Sequence, residues 1–168
     1  MSSAITLQAP IYLLRALTDC WSCGRSTEVY GIAASGVADD EGTPFDGDEP
    51  VLVHHITELP IGIIEAMAAQ GAVLRRQASK TAGFSYLANQ CGCGALIGDH
   101  YLSSEPGAPF FPTDEAGLSA VTMTELSPAG EHDACADYSM GVVADLLEKH
   151  VAASCVAKAK KVTRARQR

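Results

Sequence analysis

Four of the six cysteines in this 168-residue chain fall in two close pairs, Cys20-Trp21-Ser22-Cys23 and Cys91-Gly92-Cys93. A thiolate is a good ligand for zinc, which takes four ligands in a tetrahedron, so two pairs supply one complete set. The full pattern is C-x2-C-x67-C-x-C. The long gap is tolerable because the entropy of closing a loop grows only slowly with its length. Cys20, Cys23, Cys91 and Cys93 are therefore the candidate ligands of a structural Zn2+. Gly24 takes the tight backbone after the first pair, and Gly92 and Gly94 flank Cys93 and free the backbone around it.

The second pair is one residue shorter than a standard knuckle. That leaves two ligand sets open: all four cysteines, which is the preferred set, or only one of Cys91 and Cys93, with His100 or another group completing the site. Other chemistry fits less well. A redox C-x-x-C sits at a helix start, where the helix dipole acidifies the thiol, but Cys20 and Cys23 lie between two expected strands. A Cys91–Cys93 disulfide would close a strained small ring. The chain has no Ser-x-x-Lys, no glycine-rich phosphate loop and no His-Glu-x-x-His. Trp21 is the only tryptophan; it is expected to shield the sulfurs, with an exposed partner anchor as the alternative. His54 and His55 are adjacent, so in a strand they are expected to face opposite sides and not to act as a pair. His132, Asp133, Cys135 and Asp137 form a polar group that more simply provides a helix cap, at Asp133 or Asp137, than a second metal site. Cys135 and Cys155 are expected to be unpaired thiols, Cys155 on or near the buried side of a last helix.

CWSCG and QCGCG together resemble the zinc-ribbon class with rubredoxin-like knuckles. More narrowly, SKTAGFSYLANQCGCGALIGDHYLSSEPGAPF is similar to a group of uncharacterised bacterial proteins in which a C-x-x-C pair precedes a YxANxCxxCGAxxGDxxL-type second knuckle. Residues 11–35 and 51–112 are covered; the missing residue between Cys91 and Cys93 is a departure from that pattern. The resemblance implies zinc at the same four cysteines and carries no established activity.

The elements that must position these cysteines are mostly strands. IYLLRAL (11–17) leads into the first pair after a loose N-terminal lead-in, residues 1–10, and STEVYGIAAS (26–35) leads away from it. VLVHHITEL (51–59), FSYLANQC (84–91), ALIGDHYL (95–102) and SAVTMTEL (119–126) also read as strands. PIGIIEAMAAQG (60–71) reads as a short helix begun by Pro60 and stopped by Gly71, with Ile61, Ile64, Met67 and Ala68 on its core face. Residues 37–50 form an acidic loop, residues 104–117 are irregular, and SPAGEHDA (127–134) is a loop. YSMGVVADLLEKHVAASCVAK (138–158) shows the strongest helical period, with Met140, Val143, Leu147 and Val151 on one face. The expected fold is α+β: an antiparallel zinc β-ribbon at the centre, a short helix inserted between the knuckles, and a C-terminal helix alongside. One domain spans 1–157, and 158–168 is a basic, disordered tail.

Composition narrows the function. The net charge is −8, yet six of the twelve basic residues lie in the last eleven positions. The remainder carries six basic against twenty acidic residues, a net charge of −14. Such a body repels phosphate backbones, so only the tail is suited to nucleic acid. No secretory leader or spanning segment is seen, so a cytoplasmic protein without membrane contact is expected. The reading that follows is a non-enzymatic module, stabilised by zinc, that binds a protein partner. The alternatives are a nucleic-acid-associated protein acting through its tail and a thiol redox protein.

Overall fold

The computed structural model describes residues 2–38, 49–130 and 132–153. The acidic loop core, Cys155 and the basic tail lie outside the described residues. Mostly β structure is observed, built on a small four-stranded antiparallel barrel. Strands β1 (Ser3–Asp19), β2 (Ser26–Ala38), β3 (Val51–Glu58) and β8 (Asp133–Met140) pair in the order β1–β2–β3–β8, and β8 returns to β1. β1 is long enough to serve two neighbours on one side. Ser3–Thr6 pair with β8, while Ile11–Arg15 pair with β7 (Thr122–Leu126). The split coincides with a bulge between Gln8 and Ile11. There Pro10 has no N–H to give, and Ser35 Oγ donates to the carbonyls of Gln8 and Ala9 at 2.9 and 2.7 Å.

A second sheet, β4 (Arg75–Ser79), β5 (Phe84–Gln90) and β6 (Leu96–Ile97), lies against the barrel. Its attachment is partly polar. Asn89, 2 % exposed, accepts from Tyr30 N–H and donates to Tyr30 C=O, both at 2.8 Å. The helices are α1 (Ile61–Ala69), α2 (Asp99–Ser103), α3 (Glu115–Ala120) and α4, whose described part covers residues 144–153. Among the described residues no helix is long and apolar enough to cross a membrane.

The unbroken apolar run of β1 has a physical reason: both faces are buried. Ile11 and Leu13 enter the barrel core with Ile32, Val53 and Met67. Tyr12, Leu14 and Ala16 point the other way, into a second core with Val29, Ile97, Leu102, Phe110, Val143 and Leu146. Cys20 and Cys91 belong to this second core, so it continues into the sulfur cluster.

Several sequence expectations are corrected. A barrel, not a zinc ribbon, is the centre, and the knuckles cap one end of its longest hairpin. Residues 3–10 are strand rather than lead-in. The helix expected over 138–158 is two elements: β8 runs to Met140 with buried Ala134 and Ala136 alternating, Gly141 turns at φ +77°, and α4 starts at residue 144. Met140 and Val151 are consequently exposed, while Val143 and Leu146 are buried. In α1, Ile61 and Ile64 are exposed and the packed side is Gly62, Ile63 and Met67. Residues 95–102 hold only a two-residue strand, because helix α2 begins at Asp99. Residues 115–120 form helix α3, capped by Asp114 Oδ1 accepting from Gly117 N–H at 2.8 Å.

Candidate metal centre

The β1–β2 hairpin ends in the turn that carries Cys20 and Cys23. Cys20 N–H donates to Arg25 C=O at 2.9 Å, and Gly24 N–H closes onto Cys20 C=O at 2.8 Å. Between β5 and β6 the same plan is followed one residue shorter. Cys91 N–H donates to Ala95 C=O at 2.9 Å, and Gly94 N–H closes onto Cys91 C=O at 2.8 Å. In each turn a glycine of positive φ follows the second cysteine, +70° at Gly24 and +91° at Gly94. The first loop closes from residue i to i+4 and the second from i to i+3. This is how C-x-C and C-x-x-C aim their sulfurs alike.

The two turns face each other. Cys20, Cys23, Cys91 and Cys93 place all four Sγ atoms within 4.8 Å of one another. Cys20 Sγ lies 3.8 Å from Cys93 Sγ, and Cys23 Sγ lies 3.6 Å from Cys91 Sγ. A zinc tetrahedron with Zn–S of about 2.3 Å has S···S edges of roughly 3.8 Å. The cluster therefore has the size of a thiolate tetrahedron and can hold a metal ion such as zinc. Cys20 and Cys91 are buried; Cys23 and Cys93 are exposed.

The surroundings favour thiolate on some sulfurs and oppose it on the last. The backbone N–H of Cys93, then the Thr27 hydroxyl at 3.3 Å, hold the Cys91 thiol down to about 6. Arg25 Nε, 3.4 Å from Cys23 Sγ, lowers the Cys23 thiol. At Cys93 the Ala95 N–H lowers the pKa, but partial desolvation of the sulfur and the neighbouring cysteines together raise it to about 11. Four thiolates this close repel one another, and a divalent cation between them removes that conflict.

Trp21 is 71 % exposed and does not enclose the outer sulfurs. Its indole Nε1–H donates to Leu96 C=O at 2.7 Å, which staples the first knuckle to the strand leaving the second. His100, the alternative ligand, sits in α2 and is not one of the clustered donors.

A second cluster was missed by the strand-alternation argument. His55 has φ +49°, which breaks the alternation of β3 and turns its ring to the side of His54. The two Nδ1 atoms lie 3.3 Å apart, and His55 Nδ1 is 3.2 Å from Asp137 Oδ2. The three donors lie within 4.8 Å of one another. Burial, then the neighbouring His55, hold His54 below the ordinary imidazole range. By contrast, the expected group of His132, Asp133, Cys135 and Asp137 is not brought together among the described residues. Asp133 accepts from Thr6 Oγ1 at 2.7 Å, and Asp137 turns to the histidines. The one legible signal was the His-His doublet; its partner is 82 residues away in sequence.

Compared with known protein families, with curated proteins and with solved structures, the chain matches none. Of the expected zinc-ribbon resemblance, the structure supports a four-cysteine cluster suited to a metal ion.

Proposed function

We propose that the chain is a non-enzymatic protein-interaction module whose two knuckles are joined by a structural zinc ion on Cys20, Cys23, Cys91 and Cys93. The observation that supports this reading is the tetrahedral size of the sulfur cluster. Four thiolates complete the coordination of zinc and leave no position for substrate, which is the mark of a structural site.

The surface beside the knuckles supplies the contact face. Leu17, Trp21 and Tyr101 are 67 %, 71 % and 52 % exposed. Leu17 and Tyr101 line a groove of about 650 Å³ with Pro106, Pro109, Glu105 and Asp114, and among the described residues no lysine or arginine lines it. Aromatic anchors in such a setting are typical of binding hot spots. The occupant that fits is an apolar segment of a partner protein flanked by basic residues.

Zinc measurement on the purified protein, together with pull-down from host lysate by the parent and by Leu17→Ser and Tyr101→Ser, tests the reading. A zinc-loaded parent that captures a defined protein, with capture lost in both folded variants, supports it. Turnover abolished by changing a non-cysteine residue contradicts it. Salt-dependent retention on DNA or RNA that vanishes when 158–168 are deleted transfers the function to the basic tail. Free labelling of the thiols without chelator favours thiol redox chemistry instead.

A further inference from the structure

We propose that His54, His55 and Asp137 bind a divalent transition-metal ion at a second site, separate from the cysteine cluster. The ion would be held through Nδ1 of both imidazoles and one carboxylate oxygen.

The spacing is the first argument. Donors about 2.0–2.1 Å from a tetrahedral ion lie roughly 3.3–3.4 Å apart. The observed separations are 3.3 Å between the two Nδ1 atoms and 3.2 Å from His55 Nδ1 to Asp137 Oδ2.

The backbone is the second. A regular strand sends successive side chains to opposite faces. Here His55 adopts a left-handed conformation that non-glycine residues avoid, and β3–β8 pairing becomes irregular directly after the His54–Asp137 pair. Such strain persists where surrounding contacts hold it in place, and it concentrates at functional sites. Asp99 Oδ2 supplies one such contact by accepting His55 N–H at 2.6 Å. The rings of Phe84 and Tyr86 supply two more, meeting the His55 ring edge-on at 5.8 and 5.2 Å.

The outer contacts are the third argument. Ser139 Oγ lies 2.9 Å from His54 Nε2, and the tautomer that donates there leaves the Nδ1 lone pair facing the cluster. A proton on His55 Nδ1 reaches both Asp137 and His54 Nδ1 only as a shared, three-centre hydrogen bond, whereas a cation engages all three ligand atoms directly.

Two imidazoles and a carboxylate suit zinc, iron(II) or nickel(II). The His55 and Asp137 side chains are 26 % and 31 % exposed, so solvent reaches the site and can occupy the remaining coordination position. The site is thus open where the cysteine cluster is closed.

The test loads the full-length protein with excess zinc sulfate, removes free metal by gel filtration, and counts zinc per chain alongside thiol labelling. Two equivalents are expected in the parent. His55→Gly, which accepts the positive φ, and Asp137→Asn, which keeps the side-chain shape, should each lose one equivalent while the thiols stay protected. Cys91→Ser should lose the other equivalent and keep this one. Circular dichroism confirms folding, and Asp137→Asn decides if His55→Gly does not fold. A parent lacking an equivalent that both variants remove, or variants with the parent's count, overturns the proposal. Freely labelled thiols with one equivalent that His55→Gly removes would sink the cysteine reading and leave this site standing.

Discussion

The cysteine cluster and the His54–His55–Asp137 cluster reach similar donor spacing by opposite means. Around the sulfurs the backbone is relaxed: glycines occupy the positive-φ positions, and each turn closes its own hydrogen bonds. Around the imidazoles a histidine itself occupies the positive-φ position, held there by Asp99 and two aromatic rings. The first cluster joins two hairpin tips from distant parts of the chain. The second joins neighbours on one strand to the facing residue of another. A turn can be built from local residue choice; a kink inside a strand must be held by its surroundings.

The comparison is broken most directly at the sulfurs. Cys91→Ser should release the proposed zinc ion and cause the largest fall in melting temperature of this series, with Cys93→Ser matching it if both ligate. Scanning calorimetry with metal analysis reads both. A Cys93→Ser protein that retains its zinc would restore the mixed ligand set.

Next in size is Asn89→Ala, which tests whether the second knuckle is held by metal alone. It strands the Tyr30 N–H and C=O that the buried Asn89 side chain pairs, and should cost about 2–4 kcal/mol in denaturant unfolding. A cost near zero would mean that packing and the metal suffice.

Opposite substitutions at positive φ then sharpen the contrast. Gly94→Ala should cost about 1–2 kcal/mol, because a Cβ is disfavoured at φ +91° although space is open around it. Gly92→Ala, which has open space and no positive φ, should cost only a few tenths of a kcal/mol. For metal-free His55→Gly two opposing effects are expected nearly to cancel. Relief of backbone strain offsets lost ring packing, so stability should stay within about 1 kcal/mol of the parent. A much larger loss would make the His55 ring a structural wedge.

The strands flanking the cysteines were legible because their apolar runs end at Cys-Gly turns. The inserted helix was legible from Pro60 and Gly71, but its buried side was not, since Ile61, Ile63 and Ile64 are equally apolar and only the barrel decides which one is covered. The C-terminal segment is ambiguous for a similar reason. Met140, Val143 and Leu147 satisfy a helical period, while Ala134, Ala136 and Tyr138 satisfy a strand period. Pairing with β3 and β1 selects the strand up to Gly141. A barrel could not be foreseen because its closure depends on β8 returning to β1, a contact between the two ends of the described chain.

Residue type and spacing alone determined the four sulfurs, their glycine-closed turns and the strands that carry them, because a hairpin tip is a local object whose geometry follows from a few neighbouring residues. Only the tertiary structure decided that these turns meet, that a barrel lies beneath them, and that His54 and His55 point the same way toward Asp137. Those facts depend on pairings across 68 to 127 residues of chain, where packing and hydrogen bonding between distant segments outweigh local preference.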